Sequence, residues 1–154
     1  MSIVAARRLE PGPLTPPRRM RASGRVALAA GAAVVTSAAW YTVFAEPYAT
    51  LAGDGAAAGL SPAVTMAVEL GRSVLVSAII ALLMDRLGVR RAREALGVAA
   101  LAWAAFPATL MVGSVVHDGV PVALAAIHAG DWLVKLLVVA MIVVTLQHRG
   151  GGQR

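Results

Sequence analysis

Apolar residues gather along the chain in four long runs, at about 26–44, 63–84, 95–116 and 121–146. Between them collect arginine, glycine, proline, aspartate and histidine. Each run is near the roughly 20 helical residues that cross a hydrocarbon core of about 30 Å. The pattern predicts an all-α membrane protein, a bundle of four transmembrane helices. The first run ends in Trp40 and Tyr41, where an interfacial aromatic belt would sit. A signal peptide cut before Glu46 is the alternative for this run, but its apolar length exceeds the usual core of about 7 to 15 residues, so a retained helix is expected. In the third run Pro107 predicts a kink, because its ring removes a helical hydrogen bond and crowds the preceding turn. The fourth begins at Pro121, a residue suited to a helix's first turn.

The connecting stretches predict the ends of the bundle. Residues 1–24 combine arginines with Pro11, Pro13, Pro16 and Pro17 and read as a disordered cytoplasmic tail, whichever of Met1 and Met20 is the start. Residues 45–62, with Glu46, Pro47, Asp54 and several glycines, read as a polar, flexible loop. Asp85 to Glu94 reads as a tight loop, His117-Asp118-Gly119 as a turn, and residues 148–154 as a second cytoplasmic tail. Arginines in these stretches set the orientation, since basic loops stay in the cytoplasm. Six precede the first run (Arg7, Arg8, Arg18, Arg19, Arg21, Arg25), four lie between the second and third (Arg86, Arg90, Arg91, Arg93), and Arg149 and Arg154 follow the last. The other two connections hold none. Both termini are therefore expected inside.

Composition narrows the class further. With 58% hydrophobic residues, 14% charged residues and a mean hydropathy of +0.74, the chain is too apolar for an ordinary soluble domain. It has no cysteine, which removes disulfides, thiolate zinc sites and iron–sulfur clusters. A net charge of +6 invites a nucleic-acid reading, but the basic residues flank apolar runs without interleaved aromatics, so no nucleic-acid partner is expected. Of the 14 basic residues only Lys135 is lysine, a bias typical of GC-rich genomes, and the inner membrane of a bacterium is the expected location. Arg7-Arg8 is followed by Leu9-Glu10 and lies far from the first run, a poor match to a twin-arginine signal.

Five ionisable residues interrupt the runs. Glu69 and Arg72 lie three apart on the second helix, while His128, Asp131 and Lys135 lie at i, i+3 and i+7 on the fourth, so each set shares one helical face. A lone charge at mid-membrane costs at least about 2.5–3.5 kcal/mol, so both faces should turn inward and pair or line a wet cavity. On parallel helices Arg72 matches Asp131 in depth and Glu69 matches His128, with Lys135 a turn deeper and able to reach Asp131. Interhelical glue is one reading of this polar cluster; an ion or proton relay, or a site for a polar ligand, is the other.

Other chemistry finds little support. His128, Asp131 and Glu69 lack a compact zinc motif, and Arg72 and Lys135 would repel a cation, so no metal is expected. A single histidine within the runs argues against haem, and neither a cofactor nor a catalytic residue is assigned. Trp103 and Trp132 read as core-filling indoles that need a partner for their N–H. Ser73, Ser77 and Ala81 form a small-residue ridge for close helix packing or dimerisation.

Several strings resemble the family designated domain of unknown function 1761. They are Ala39-Trp40-Tyr41 with Phe44, Glu69-Leu70-Gly71-Arg72-Ser73, Trp103-Ala104-Ala105-Phe106-Pro107, and Ile127-His128-Ala129-Gly130-Asp131-Trp132-Leu133-Val134-Lys135. The resemblance covers about Val26 to Gln147 and implies a four-helix membrane protein without an assigned activity. The expected function is then a non-enzymatic membrane protein whose cluster binds or conducts a small polar or ionic species. The alternative is an accessory subunit in contact with lipid and with a larger membrane complex, or a homo-oligomer.

Overall fold

The computed structural model describes residues 18–53 and 61–151, so the expectations for residues 1–17, 54–60 and 152–154 lie outside the described part. The described residues are helical throughout apart from short turns. The chain runs α1 (Arg18–Val43), α2 (Ala45–Ala52), α3 (Pro62–Leu87), α4 (Ala92–Trp103), a π-helical turn (Ala104–Ala108), α5 (Thr109–His117) and α6 (Val122–Gly151). Four helices are long and apolar enough to cross a membrane: Ser23–Val43, Pro62–Leu87, Ala92–His117 and Val122–Gln147. They coincide with the four apolar runs.

Local chemistry explains the boundaries. The Ser61 hydroxyl accepts from the Val64 backbone N–H and Pro62 occupies the first turn, where its missing N–H is not needed. Gly88 closes α3 at φ 67°, the left-handed conformation that a helix C-terminus favours and glycine adopts at least cost. At the start of α4 the Glu94 carboxylate accepts from the backbone N–H groups of Arg90 and Arg91 at 3.3 and 3.2 Å.

Helix extends beyond the expected spans at several points, and the expected Asp85–Glu94 loop shortens to residues 88–91 because α3 runs to Leu87 and α4 starts at Ala92. α1 begins at Arg18, inside the stretch expected to be a disordered tail, because Arg-Arg-Met-Arg-Ala is built of strong helix formers. α6 continues to Gly151 rather than ending near Leu146. α2 replaces the first half of the expected 45–62 loop: Ala45-Glu46-Pro47 places an acid and a proline in a first turn, where both are tolerated, and alanines follow. At Pro107 the helix widens into the π-helical turn, and the Thr109 hydroxyl donates to the Ala104 carbonyl at 3.0 Å.

α6 is the central element, packing most extensively on α1 and α4, while α3 lies mainly against α1 and barely touches α4. Small residues allow the close approaches: Ala29, Ala33 and Ser37 are buried along one face of α1, and Ala95 and Ala99 along α4. Met84, Val139 and Val143 fill the space between. The Ser73, Ser77 and Ala81 ridge is buried within this same chain. At one end Asp85 of α3 accepts from Arg25 of α1 at 2.7 Å and from Gln147 of α6 at 2.7 Å, joining three helices.

Trp40 fixes the α1–α6 contact, donating its indole N–H to the Ile127 carbonyl at 3.0 Å while its six-membered ring lies over Gly130. A Cβ at Gly130 would come within 2.5 Å of Trp40 Cζ2. Gly130→Ala is therefore expected to destabilise the protein by about 1–3 kcal/mol through overpacking, read as a lower melting temperature in detergent. Gly71→Ala, at a position with nothing within 4 Å of the added carbon, should leave the melting temperature unchanged or raise it.

Candidate functional site

Four of the five sequence-predicted ionisable residues, Glu69, Arg72, Asp131 and Lys135, meet at the seam between α3 and α6, close to α1. Lys135 is at the centre, its side chain 2% exposed. Its ammonium donates to Glu69 Oε1 at 2.6 Å and lies 3.5 Å from Asp131 Oδ2, one turn back on α6. The second oxygen of each carboxylate is also engaged: Asp131 Oδ1 accepts from the Ser37 hydroxyl at 2.6 Å, and Glu69 Oε2 lies 3.4 Å from Arg72 Nη1. Both cations also approach the Trp132 ring, Arg72 Cζ at 4.9 Å and Lys135 Nζ at 5.0 Å from its centroid, a cation–π arrangement that supplements the charge pairs.

These pairings differ from those inferred from depth. Among the described residues Arg72 and Asp131 form no ion pair, and Glu69 takes Lys135 rather than His128 as its close partner. Side-chain reach is the reason. A lysine side chain reaches well away from its own Cα to meet the Glu69 carboxylate across the seam, so backbone depth alone mispairs the groups. Asp131 turns to α1, where Ser37 waits, and Arg72 stays on the α3 side.

His128 belongs to a neighbouring aromatic group. Its Nδ1 is 2.7 Å from the Tyr41 hydroxyl, and the Tyr48 ring of α2 stands edge-on to the imidazole with centroids 5.7 Å apart. Trp103 donates its indole N–H to the Ala129 carbonyl at 2.7 Å, binding α4 to α6. Trp40 and Tyr41 thus direct their polar atoms at α6 from the end of α1. Ser37 and Tyr48 were not singled out from the sequence. Ser37 had a signal, since it lies three and four residues before Trp40 and Tyr41 and so shares their face. Tyr48 had none while α2 was read as loop.

The cluster is graded in exposure and balanced in charge. Two carboxylates, Glu69 and Asp131, face two cations, Arg72 and Lys135. Asp131 and Lys135 are closed off, with side chains 4% and 2% exposed, whereas Glu69 is 26% and Arg72 47% exposed. Access runs from the Arg72 side of α3. Among the described residues no group of three or more histidine, cysteine, aspartate or glutamate side chains is placed to hold a metal ion.

A family model described as "protein of unknown function (DUF1761)" matches residues 25–144. The chain belongs to the DUF1761 family. The match takes in all four apolar helices, every residue of the cluster and the three tryptophans. Comparisons with curated proteins and with solved structures give no match. For this DUF1761 member the site is accordingly read from its own geometry.

That geometry ranks the couplings. In double-mutant cycles followed by thermal stability in detergent, Lys135→Met with Glu69→Gln should show non-additivity of roughly 0.5–3 kcal/mol. Arg72→Gln with Asp131→Asn, linked only through Glu69 and Lys135, should show a smaller non-additivity than that pair. Lys135→Met alone, which leaves two carboxylates without their shared cation, should cost on the order of 3–5 kcal/mol.

Proposed function

We propose that the chain is a multi-pass protein of a bacterial inner membrane, with both termini cytoplasmic, in which the Glu69–Arg72–Asp131–Lys135 cluster binds or conducts a small polar or ionic species. The observation that carries this reading is the placement of a closed-off lysine between two carboxylates, beside an arginine whose side chain is 47% exposed. Enclosing a charge costs hydration that close partners must return. Here one edge is open, and net neutrality lets an incoming ion or dipole exchange with an internal partner. Orientation follows from the arginine distribution: among the tails and connections, basic residues occur only in the two termini and around the α3–α4 turn.

The accessory-subunit reading draws on the same open edge, because an exposed Arg72 on a helix able to cross a membrane calls for a polar cover. The small-residue ridge no longer serves it, being buried within the chain.

Two measurements test these statements. Reporter fusions at Gly150 and near Arg90 should read cytoplasmic and those near Gly55 and Gly119 external; a cytoplasmic signal at Gly55 would overturn the orientation. The purified protein in liposomes should by itself pass or bind a small ion, and Lys135→Met should abolish this. Inert liposomes together with stoichiometric co-purification of a membrane partner would decide for the accessory role.

A further inference from the structure

Two hydroxyls take no part in the contacts described so far. Ser73 and Ser77 of α3 are 1% and 0% exposed, and neither Oγ has a hydrogen-bond partner among the described residues. They follow Glu69 at steps of four, so Glu69, Ser73 and Ser77 lie along one face of α3, and two further such steps lead past Ala81 to Asp85. A buried hydroxyl without a partner is disfavoured, by about 1–3 kcal/mol in soluble proteins. Two of them, one turn apart and next to a cluster of four ionisable groups, mark this face of α3 as something other than packing.

The groups form a string that advances steadily through the bundle. α3 and α6 run parallel, as the contacts Glu69–Lys135 and Asp85–Gln147 require. From His128 to Lys135 the string climbs seven residues of α6, crosses to Glu69 by the 2.6 Å contact, and climbs 16 residues of α3 to Asp85. At 1.5 Å per residue that is about 10 Å and then about 24 Å. Because Asp85 meets Gln147, 19 residues beyond His128 on α6, the whole string spans about 28 Å, close to the roughly 30 Å of a hydrocarbon core. Tyr41 and Ser37 of α1 flank the first part through His128 and Asp131. One stretch is apolar: between Ser77 and Asp85 stand Ile80, Ala81 and Met84, all buried.

We propose that the conducted species is the proton, and that it passes from the Lys135–Glu69 pair along Ser73 and Ser77 to Asp85, with the Ile80–Ala81–Met84 stretch as the gate. The inference rests on the reading of the cluster as a conducting site. The Lys135 ammonium gives its proton to the Glu69 carboxylate, leaving a neutral amine and a neutral acid. Glu69 then releases that proton toward Ser73. Each hydroxyl takes a proton on its oxygen as it gives up its own, steps of about 6 Å along the helix being of a size that one water molecule bridges. The Asp85 carboxylate, 46% exposed, accepts the proton beyond the gate and releases it to the water outside the bundle, and Lys135 recovers its proton from Asp131, loaded in turn from the His128 end. No net charge is left in the cluster after a cycle. The apolar stretch keeps conduction slow, as hydrophobic constrictions do when they shed water.

Purified full-length protein would be reconstituted in phosphatidylethanolamine–phosphatidylglycerol liposomes with an internal pH-sensitive dye, and acidification followed after an external pH drop with valinomycin and potassium clamping the potential. The parent protein should acidify the lumen faster than empty liposomes. Ser73→Ala with Ser77→Ala should slow it at least about tenfold, the rate equivalent of about 1.4 kcal/mol, while the melting temperature holds or rises because two unpartnered hydroxyls are gone. Ala81→Ser, which carries the hydroxyl series one turn into the gate, should quicken it severalfold. Undiminished flux in the double serine variant overturns the route. A parent that passes potassium or chloride but no protons overturns this inference and leaves the conducting site standing; a parent that neither passes nor binds a small ion overturns both.

Discussion

Everything near the site follows from one requirement, that the Lys135 ammonium be given acceptors where bulk water cannot reach it. Its side chain is 2% exposed and starts from the middle of the longest and most central helix. A buried ammonium loses hydration worth several kcal/mol and recovers it only from close, well-directed partners. Glu69 supplies one at 2.6 Å and Asp131 a second at 3.5 Å. The demand then spreads outward, because each carboxylate brings a second oxygen of its own. Ser37 satisfies Asp131 and Arg72 satisfies Glu69, so a single lysine recruits α1, α3 and α6 into one network.

Packing at the periphery lets those partners arrive in register. Apolar burial drives little association between helices in lipid, so close contact and directed hydrogen bonds must carry it. α1 presents Ala29, Ala33 and Ser37, and Trp40 closes over Gly130. The two indole N–H groups of Trp40 and Trp103 donate to consecutive parts of α6, Ile127 and Ala129, from opposite neighbours. α6 is thereby held from both sides just one turn before Asp131. At the other end the Arg25–Asp85–Gln147 contacts fix α3 against α1 and α6. α3 needs that second anchor, because it has little contact with α4.

The apolar runs made the four long helices legible, since run length depends on composition alone. Their ends were less so, because helix propensity in Arg18–Ala22 and in Ala45–Ala52 acts without an apolar pattern to announce it. The cluster was legible in membership for Glu69, Arg72, Asp131 and Lys135, but the pairing was not. Depth along a helix axis locates Cα atoms, whereas lysine and glutamate meet through long side chains, and azimuth decides whether Asp131 turns to α1 or to α3. Ser37 illustrates the same limit: a serine in an apolar helix gives no sign of its partner until the facing helix is in place.

Energetics separate the two meanings that such a cluster can have. Hydrogen bonds between membrane helices contribute about 0.6 kcal/mol on average and up to about 2 kcal/mol. A charge at the centre of a helix costs about 2.5–3.5 kcal/mol on the most lenient scale. Four charges are therefore a poor means of joining α3 to α6 when α4 is joined to α6 by alanines and an indole N–H, and α1 to α6 by small residues, a second indole N–H and a single bond to a charged group, Ser37 to Asp131. The same chain thus contains the economical solution and, a turn away, the expensive one. The costly one runs from Lys135 and Asp131, closed off at 2% and 4% exposure, out to the half-exposed Arg72 on α3. That gradient from enclosed to open charge is what the proposed exchange of partners at this seam draws on.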